Sequence, residues 1–171
     1  MALAITGTGN GSLNNLALSA NTGTIVDTAR AGTVVQYAEK EYSTDFTSTS
    51  TSFVDAFTGF TFTPTSATNK VRLEFFARYY NNNVNMDTAH QIVRDSTTIW
   101  NGATYYASAS AATWTSSLVY TDTPGTTSQV TYKIQARIIT AGAGSGSVRI
   151  ITTGSNALNP NAYFRAWEIV A

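Results

Sequence analysis

Between Lys70 and Tyr80 the chain alternates. Val71, Leu73, Phe75, Ala77 and Tyr79 fall on one side of an extended strand, and Lys70, Arg72, Glu74, Phe76, Arg78 and Tyr80 on the other. Successive side chains of a strand point to opposite faces, so a period of two marks a sheet with one buried face. The pattern returns at Gln129–Ile139, where Val130, Tyr132, Ile134, Ala136 and Ile138 alternate with Gln129, Thr131, Lys133, Gln135 and Arg137, and again at Tyr163–Val170. No segment repeats apolar residues at helical spacing with comparable strength. The pattern predicts an all-β protein.

From residue 32 onward the chain reads as about eight strands, beginning with Thr33–Glu39. Phe53–Phe57 and Thr58–Thr63 follow a Thr/Ser run, and Pro64–Asn69 is rich in residues that favour turns. His90–Arg94 and Thr97–Trp100 form a hairpin around Asp95-Ser96, and Thr113–Thr121 ends at the turn Asp122–Thr127. After Gln129–Ile139 comes the Gly-rich Ala141–Gly146, read as a hairpin loop and not as a phosphate-binding loop. Ser147–Thr152 and Tyr163–Val170, the latter expected to be central, complete the set. Regularly spaced strands with intervening turns predict a sandwich or barrel. Eight strands fit a jelly-roll β-sandwich over residues 32–171, with an immunoglobulin-like sandwich as runner-up.

Composition narrows what such a domain does. A chain of 171 residues is one domain with a real core, burying typically ~70% of its unfolded surface. Ten basic and ten acidic residues cancel, so no global field attracts nucleic acid. Charged residues make up only 12%, half the usual ~25%, with Ser and Thr in their place. So little surface charge suits a protein partly covered by companion subunits better than a lone monomer. The absence of cysteine excludes disulfides, thiolate metal sites and cysteine nucleophiles. The first residues lack the pattern of a secretory signal, and no run of ~20 apolar residues predicts a membrane span.

Residues 1–31 differ from the rest. They are rich in Gly, Asn, Thr and Ala, contain no aromatic residue and carry only Asp27 and Arg30 as charges. Alone they bury too little apolar surface to offset their ordering entropy. The expectation is an extended N-terminal arm held by another surface.

Candidate chemistry is sparse. His90 is the only histidine, and a triad would need it with Asp87 or Asp95 as orienter. No Gly-x-Ser-x-Gly elbow accompanies it, and a lone hairpin His reads as a surface or interface residue. One histidine and scattered acids do not supply a zinc set. Glu39, Glu41 and Asp45 lie close enough in sequence to consider calcium, but solvated turn and strand positions explain them better. No pair of acids is marked out for glycoside hydrolysis. Neither a cofactor nor a catalytic residue is expected.

Aromatic and misplaced apolar residues remain. Phe76 interrupts the polar side of its strand, and Ile139 and Phe164 are similar exceptions. With Tyr80 they predict a subunit interface. Tyr105 and Tyr106 fit an interface too, and are the pair placed to stack on a glycan. Tyr79, Trp114 and Trp167 are expected in the core.

The assembled residues resemble a β-domain of tailed-phage virion proteins. The resemblance runs through Val34-Val35-Gln36, Thr49–Asp55, Phe62–Ser66 with Asn69-Lys70, Ile92–Ile99, Asp122–Ser128 and Tyr132–Arg137, and closes on Ala166–Ala171. It covers residues 33–171. It implies a trimeric jelly-roll knob on the surface of a virion, made in the host cytoplasm and attached through its N-terminal segment. Residues 1–31 would bind a major capsid protein or a tail or fibre component. They lack a coiled-coil heptad pattern and are short for a fibre shaft. A capsid decoration protein or short spike is therefore the leading expectation, and a fibre knob binding a host surface glycan the alternative. The family supplies no catalytic residues to carry over.

Overall fold

The computed structural model describes residues 31–81, 86–107, 112–140, 146–151 and 161–171. The arm expected over residues 1–31 lies outside them apart from Ala31. The described residues form strands β1 (Val34–Tyr42), β2 (Phe46–Ser48), β3 (Val54–Asp55), β4 (Phe60–Phe62), β5 (Lys70–Asn81), β6 (Met86–Arg94), β7 (Thr97–Ala107), β8 (Ala112–Asp122), β9 (Val130–Thr140), β10 (Val148–Ile151) and β11 (Ala162–Ile169). All pairings are antiparallel.

Register reduces these strands to two sheets of four rows each. β5 pairs with β8 along one side; along the other it pairs with β11 over Lys70–Phe76 and with β10 over Arg78–Asn81. β10 and β11 are thus two segments of one row. β1 and β2 form the next row, β1 on β11 and β2 on β10. The first sheet therefore runs β1/β2, β10/β11, β5, β8. In the second, β3 and β4 share one side of β9, whose other side pairs with β6, and β6 pairs with β7. Taken in chain order, the eight rows alternate between the sheets except at the β6–β7 hairpin, the order of two Greek keys in a jelly roll. The short β2, which overlaps the start of the Thr/Ser run at Thr47 and Ser48, is not visible in the sequence pattern, because three residues are too few to show a period.

The core lies between the sheets. Val71, Leu73, Phe75 and Ala77 of β5 face Tyr132 and Ile134 of β9 and Ile92 of β6, all buried. The phase predicted for β5 and β9 holds. For β11 it does not: Ala162, Phe164, Ala166 and Glu168 point inward, and Tyr163, Arg165, Trp167 and Ile169 point outward. Phe164 is therefore not an outward interface residue. It is 1% exposed, with its ring 5.3 Å from Phe60 in an edge-on contact and 6.3 Å from Tyr132 across the sandwich. Trp167, expected in the core, takes the outer side. Both parities of β11 carry large apolar residues, so pattern alone does not set its phase, and a one-residue slip exchanges the faces.

What sets the phase is Glu168, which is fully buried. Its carboxylate accepts from Thr65 N (2.8 Å), Thr65 Oγ1 (2.8 Å), Ser66 N (3.2 Å) and Asn69 Nδ2 (2.8 Å). Burial alone would raise its pKa, but these donors outweigh it and hold the carboxyl below its ordinary value. The turn Pro64–Asn69 is thereby tied to the last strand. Gly32 N and Val170 O (2.8 Å) and Val170 N and Thr33 O (2.9 Å) continue the β1–β11 ladder beyond Ile169. Gly32 has φ +87°, a conformation that favours glycine.

The hairpin expected around Asp95-Ser96 joins β6 and β7. Asp95 has φ +54°, and its side chain secures the turn by accepting from Thr131 N at 2.8 Å. Aspartate tolerates this left-handed region better than most residues.

Candidate interaction face

The outer side of the first sheet carries the most unusual surface. Where β1 meets the end of β11, the register shifts between Val34 and Gln36, leaving Val35 as the extra residue of a bulge. Val34 and Val35 are 50% and 42% exposed, and Tyr37 is 52% exposed. Tyr37 lies across from Trp167, with ring centroids 5.5 Å apart, and Trp167 lies across from Arg72. Val34, Arg72, Glu74, Trp167 and Ile169 line an open hollow of about 410 Å³.

The next register position holds a cluster of charges, one guanidinium between two carboxylates. Arg165 donates from Nε to Glu39 Oε2 and approaches Glu74 at 3.9 Å. Tyr37 donates to Glu39 at 2.8 Å, and Ser117 to Glu74 at 3.0 Å. The Arg165 guanidinium, aided by the Tyr37 hydroxyl, holds the Glu39 carboxyl below its usual range, and the Tyr37 hydroxyl is pushed up in turn by Glu39.

Two positions further along, aromatics return. Tyr163 pairs with Phe76 and Glu41, and Arg165 stacks over the Tyr163 ring at 5.0 Å. Tyr80 lies beside Arg149, whose guanidinium is 5.6 Å from its ring and ion-pairs with Asp45 at 3.3 Å. Phe76 and Tyr80 are half-buried on this outer face. Ile139 is exposed, but it belongs to the outer side of β9 in the other sheet. The residues expected at one interface thus divide between two faces and the core.

Tyr105 and Tyr106 lie on β7, in register with Thr88 and Asp87. Their side chains lie outside the described residues. His90 is not a surface residue. It is 2% exposed, with its ring edge-on to Tyr79 at 4.7 Å, because it sits on the inward parity of β6, in register with the buried Ala136 of β9. Among the described residues no group of three or more His, Asp or Glu is arranged to hold a metal ion. The acids considered for calcium are committed elsewhere, Glu39 to Arg165 and Asp45 to Arg149, while Glu41 points outward.

Sequence reasoning missed Trp167, Tyr37 and Arg72 as members of this face. The signal was present in β1, where Tyr37 is the large residue of the polar parity. It was hidden in β11 by the ambiguous phase. Asp122 was also missed. Read as a turn residue, it is buried, accepts on both carboxylate oxygens from Arg94 Nη1 at 2.8 Å and accepts from Tyr132 Oη at 2.9 Å.

No protein-family model matches the chain, and no curated protein matches it in sequence. Among solved structures it is similar to the insecticidal delta-endotoxin Cry8Ea1 from Bacillus thuringiensis, at 18% identity and a TM-score of 0.44, over 72% of this chain and 19% of that one. It is also similar to a chain in the structure of infectious bursal disease virus Gx strain, at 14% identity and a TM-score of 0.41, over 80% of this chain and 37% of that one. The chain therefore spans about a fifth and about two fifths of the length of these two neighbours.

Proposed function

We propose that the chain is a non-enzymatic structural protein of a phage virion. It is a homotrimeric capsid decoration or short spike protein, anchored through residues 1–31 to the capsid or to another virion component. The reading rests on the sequence resemblance over residues 33–171 together with the outer face of the first sheet. That face is the carrying observation. Tyr, Trp and Arg are the residue types enriched at protein interfaces, and here they surround a guanidinium already paired with carboxylates of its own chain. Covering such a surface removes apolar area from water, worth about 25 cal/mol per Å², and leaves the Arg165 guanidinium paired with Glu39.

The test is deletion of residues 1–31. The truncated protein is expected to remain a folded oligomer and to be lost from particles on co-sedimentation. Normal decoration of particles by the truncated protein would overturn the anchoring role.

A further inference from the structure

We infer that His90 is an acid-operated latch, whose protonation parts the two sheets at the end of the sandwich where β5 leads into β6. The inference is independent of the virion role. His90 projects into the core from β6, 2% exposed, and meets Tyr79 of β5 across the sandwich at 4.7 Å between ring centroids. The strands packed there turn their charged side chains away from it. β5 presents Tyr79 inward and Arg78 and Tyr80 outward; β9 presents Ala136 and Ile138 inward and Arg137 outward; β10 presents Val148 and Ile150 inward and Arg149 outward. On β6 itself Asp87 lies on the opposite parity to His90. β7 carries no charged residue, and β8 carries none before Asp122 at its far end. Tyr79 is thus the one titratable group that faces His90 among the described residues.

A proton on His90 places a charge in that interior. The Tyr79 ring offsets only part of the cost, since cation–π attraction is smaller than the desolvation penalty of a buried ion. Water offsets the rest, and the sheets must part to admit it. Opening costs little at this end. Tyr79 Oη and Thr88 Oγ1 are buried with no hydrogen-bond partner among the described residues, so both gain water on opening. The pairing of β6 is irregular beside them. Its register shifts between Asp87 and Thr88 against β9, and between Ala89 and Gln91 against β7. The other end is locked by satisfied buried groups, Glu168 with Thr65, Ser66 and Asn69, and Asp122 with Arg94 and Tyr132. Parting at the His90 end therefore leaves the rest of the sandwich closed.

The test is hydrogen–deuterium exchange of the full, untagged chain at pH 7.5 and pH 5.5, corrected for the intrinsic pH dependence of exchange. At pH 5.5, one unit below the ordinary histidine value of about 6.5, peptides over residues 76–81 and 86–92 are expected to lose protection about tenfold. Peptides over residues 65–73 and 163–169 are expected to keep theirs. His90→Gln removes the titrating group and is expected to give the same protection at both pH values, whatever its absolute level. His90 is the only histidine, so the wild-type comparison still reads it should this variant fail to fold. Thr88→Val deletes an unpartnered hydroxyl at near-constant volume and is expected to raise protection of the same two regions at both pH values. Equal wild-type protection at the two pH values would overturn the latch. So would a pH-dependent loss that persists in His90→Gln, or a loss spread evenly over the whole chain. Lower protection in Thr88→Val would overturn the part assigned to the unpartnered hydroxyls.

Discussion

Glu168 and Thr65 stand 103 residues apart in sequence, and the Glu168 carboxylate accepts both the backbone N–H and the hydroxyl of Thr65. One buried acid thereby joins the final strand to the turn that precedes the central strand. Replacing Glu168 with Ala leaves Thr65 N, Ser66 N and Asn69 Nδ2 facing an apolar gap. The expected cost is about 3 kcal/mol, as for a broken buried charged network. Chemical denaturation of the variant measures it.

The same carboxylate makes the fold acid-sensitive. Its pKa is lower in the folded chain than in the unfolded one. Its contribution is therefore present above the ordinary Glu pKa of about 4.3 and is lost as pH falls through the depressed folded value. A melting-temperature series from pH 6 downward is expected to fall more steeply for the wild type than for Glu168→Gln. Parallel curves would contradict this assignment.

At the alkaline end the buried phenols act. Burial, then the neighbouring Asp122, pushes the Tyr132 hydroxyl far above its ordinary value, and burial does the same to Tyr79. Both stay protonated in the folded chain, while in the unfolded chain they ionise near pH 10. Their stabilisation is complete below about pH 10 and declines as pH rises from there towards the folded values. Tyr132→Phe is expected to flatten that decline and, at neutral pH, to cost about 1 kcal/mol through loss of its hydrogen bond to Asp122. Denaturation at pH 7 and pH 10.5 separates the two effects.

Phe164 and Phe76 distinguish core from face. Phe164→Ala removes a ring that contacts Phe60, Phe75 and Tyr132, and is expected to cost about 3–5 kcal/mol. Phe76→Ala, on the outer side, is expected to cost less than about 1.5 kcal/mol in the isolated subunit and to act mainly on association. Unfolding and sedimentation measured on the same samples check both expectations.

Most of the architecture was legible along the chain. β5 and β9 announce themselves because one side of each is apolar without exception over five alternations, and the hairpin at Asp95-Ser96 carries its own turn chemistry. The face was legible only in part. Phe76 and Tyr80 stand out as large residues on a polar parity. Trp167 did not, because Phe164 and Trp167 compete for the inward side of β11, and the decision belongs to Glu168, whose partners at Thr65 and Asn69 lie a hundred residues away. Local pattern cannot encode a contact of that range. Nor did it reveal that the Asp122 turn is buried, since Arg94 and Tyr132 come from other strands.

Association through the outer side of the first sheet is the central claim. Sedimentation equilibrium of the full chain, with Tyr37→Ser/Trp167→Ser alongside, tests it most directly. The expected result is a wild-type mass three times the 18.3 kDa of one chain, and a folded double variant shifted towards the single-chain mass. A wild type that sediments at 18.3 kDa at every concentration, or a double variant that assembles as the wild type does, would contradict it.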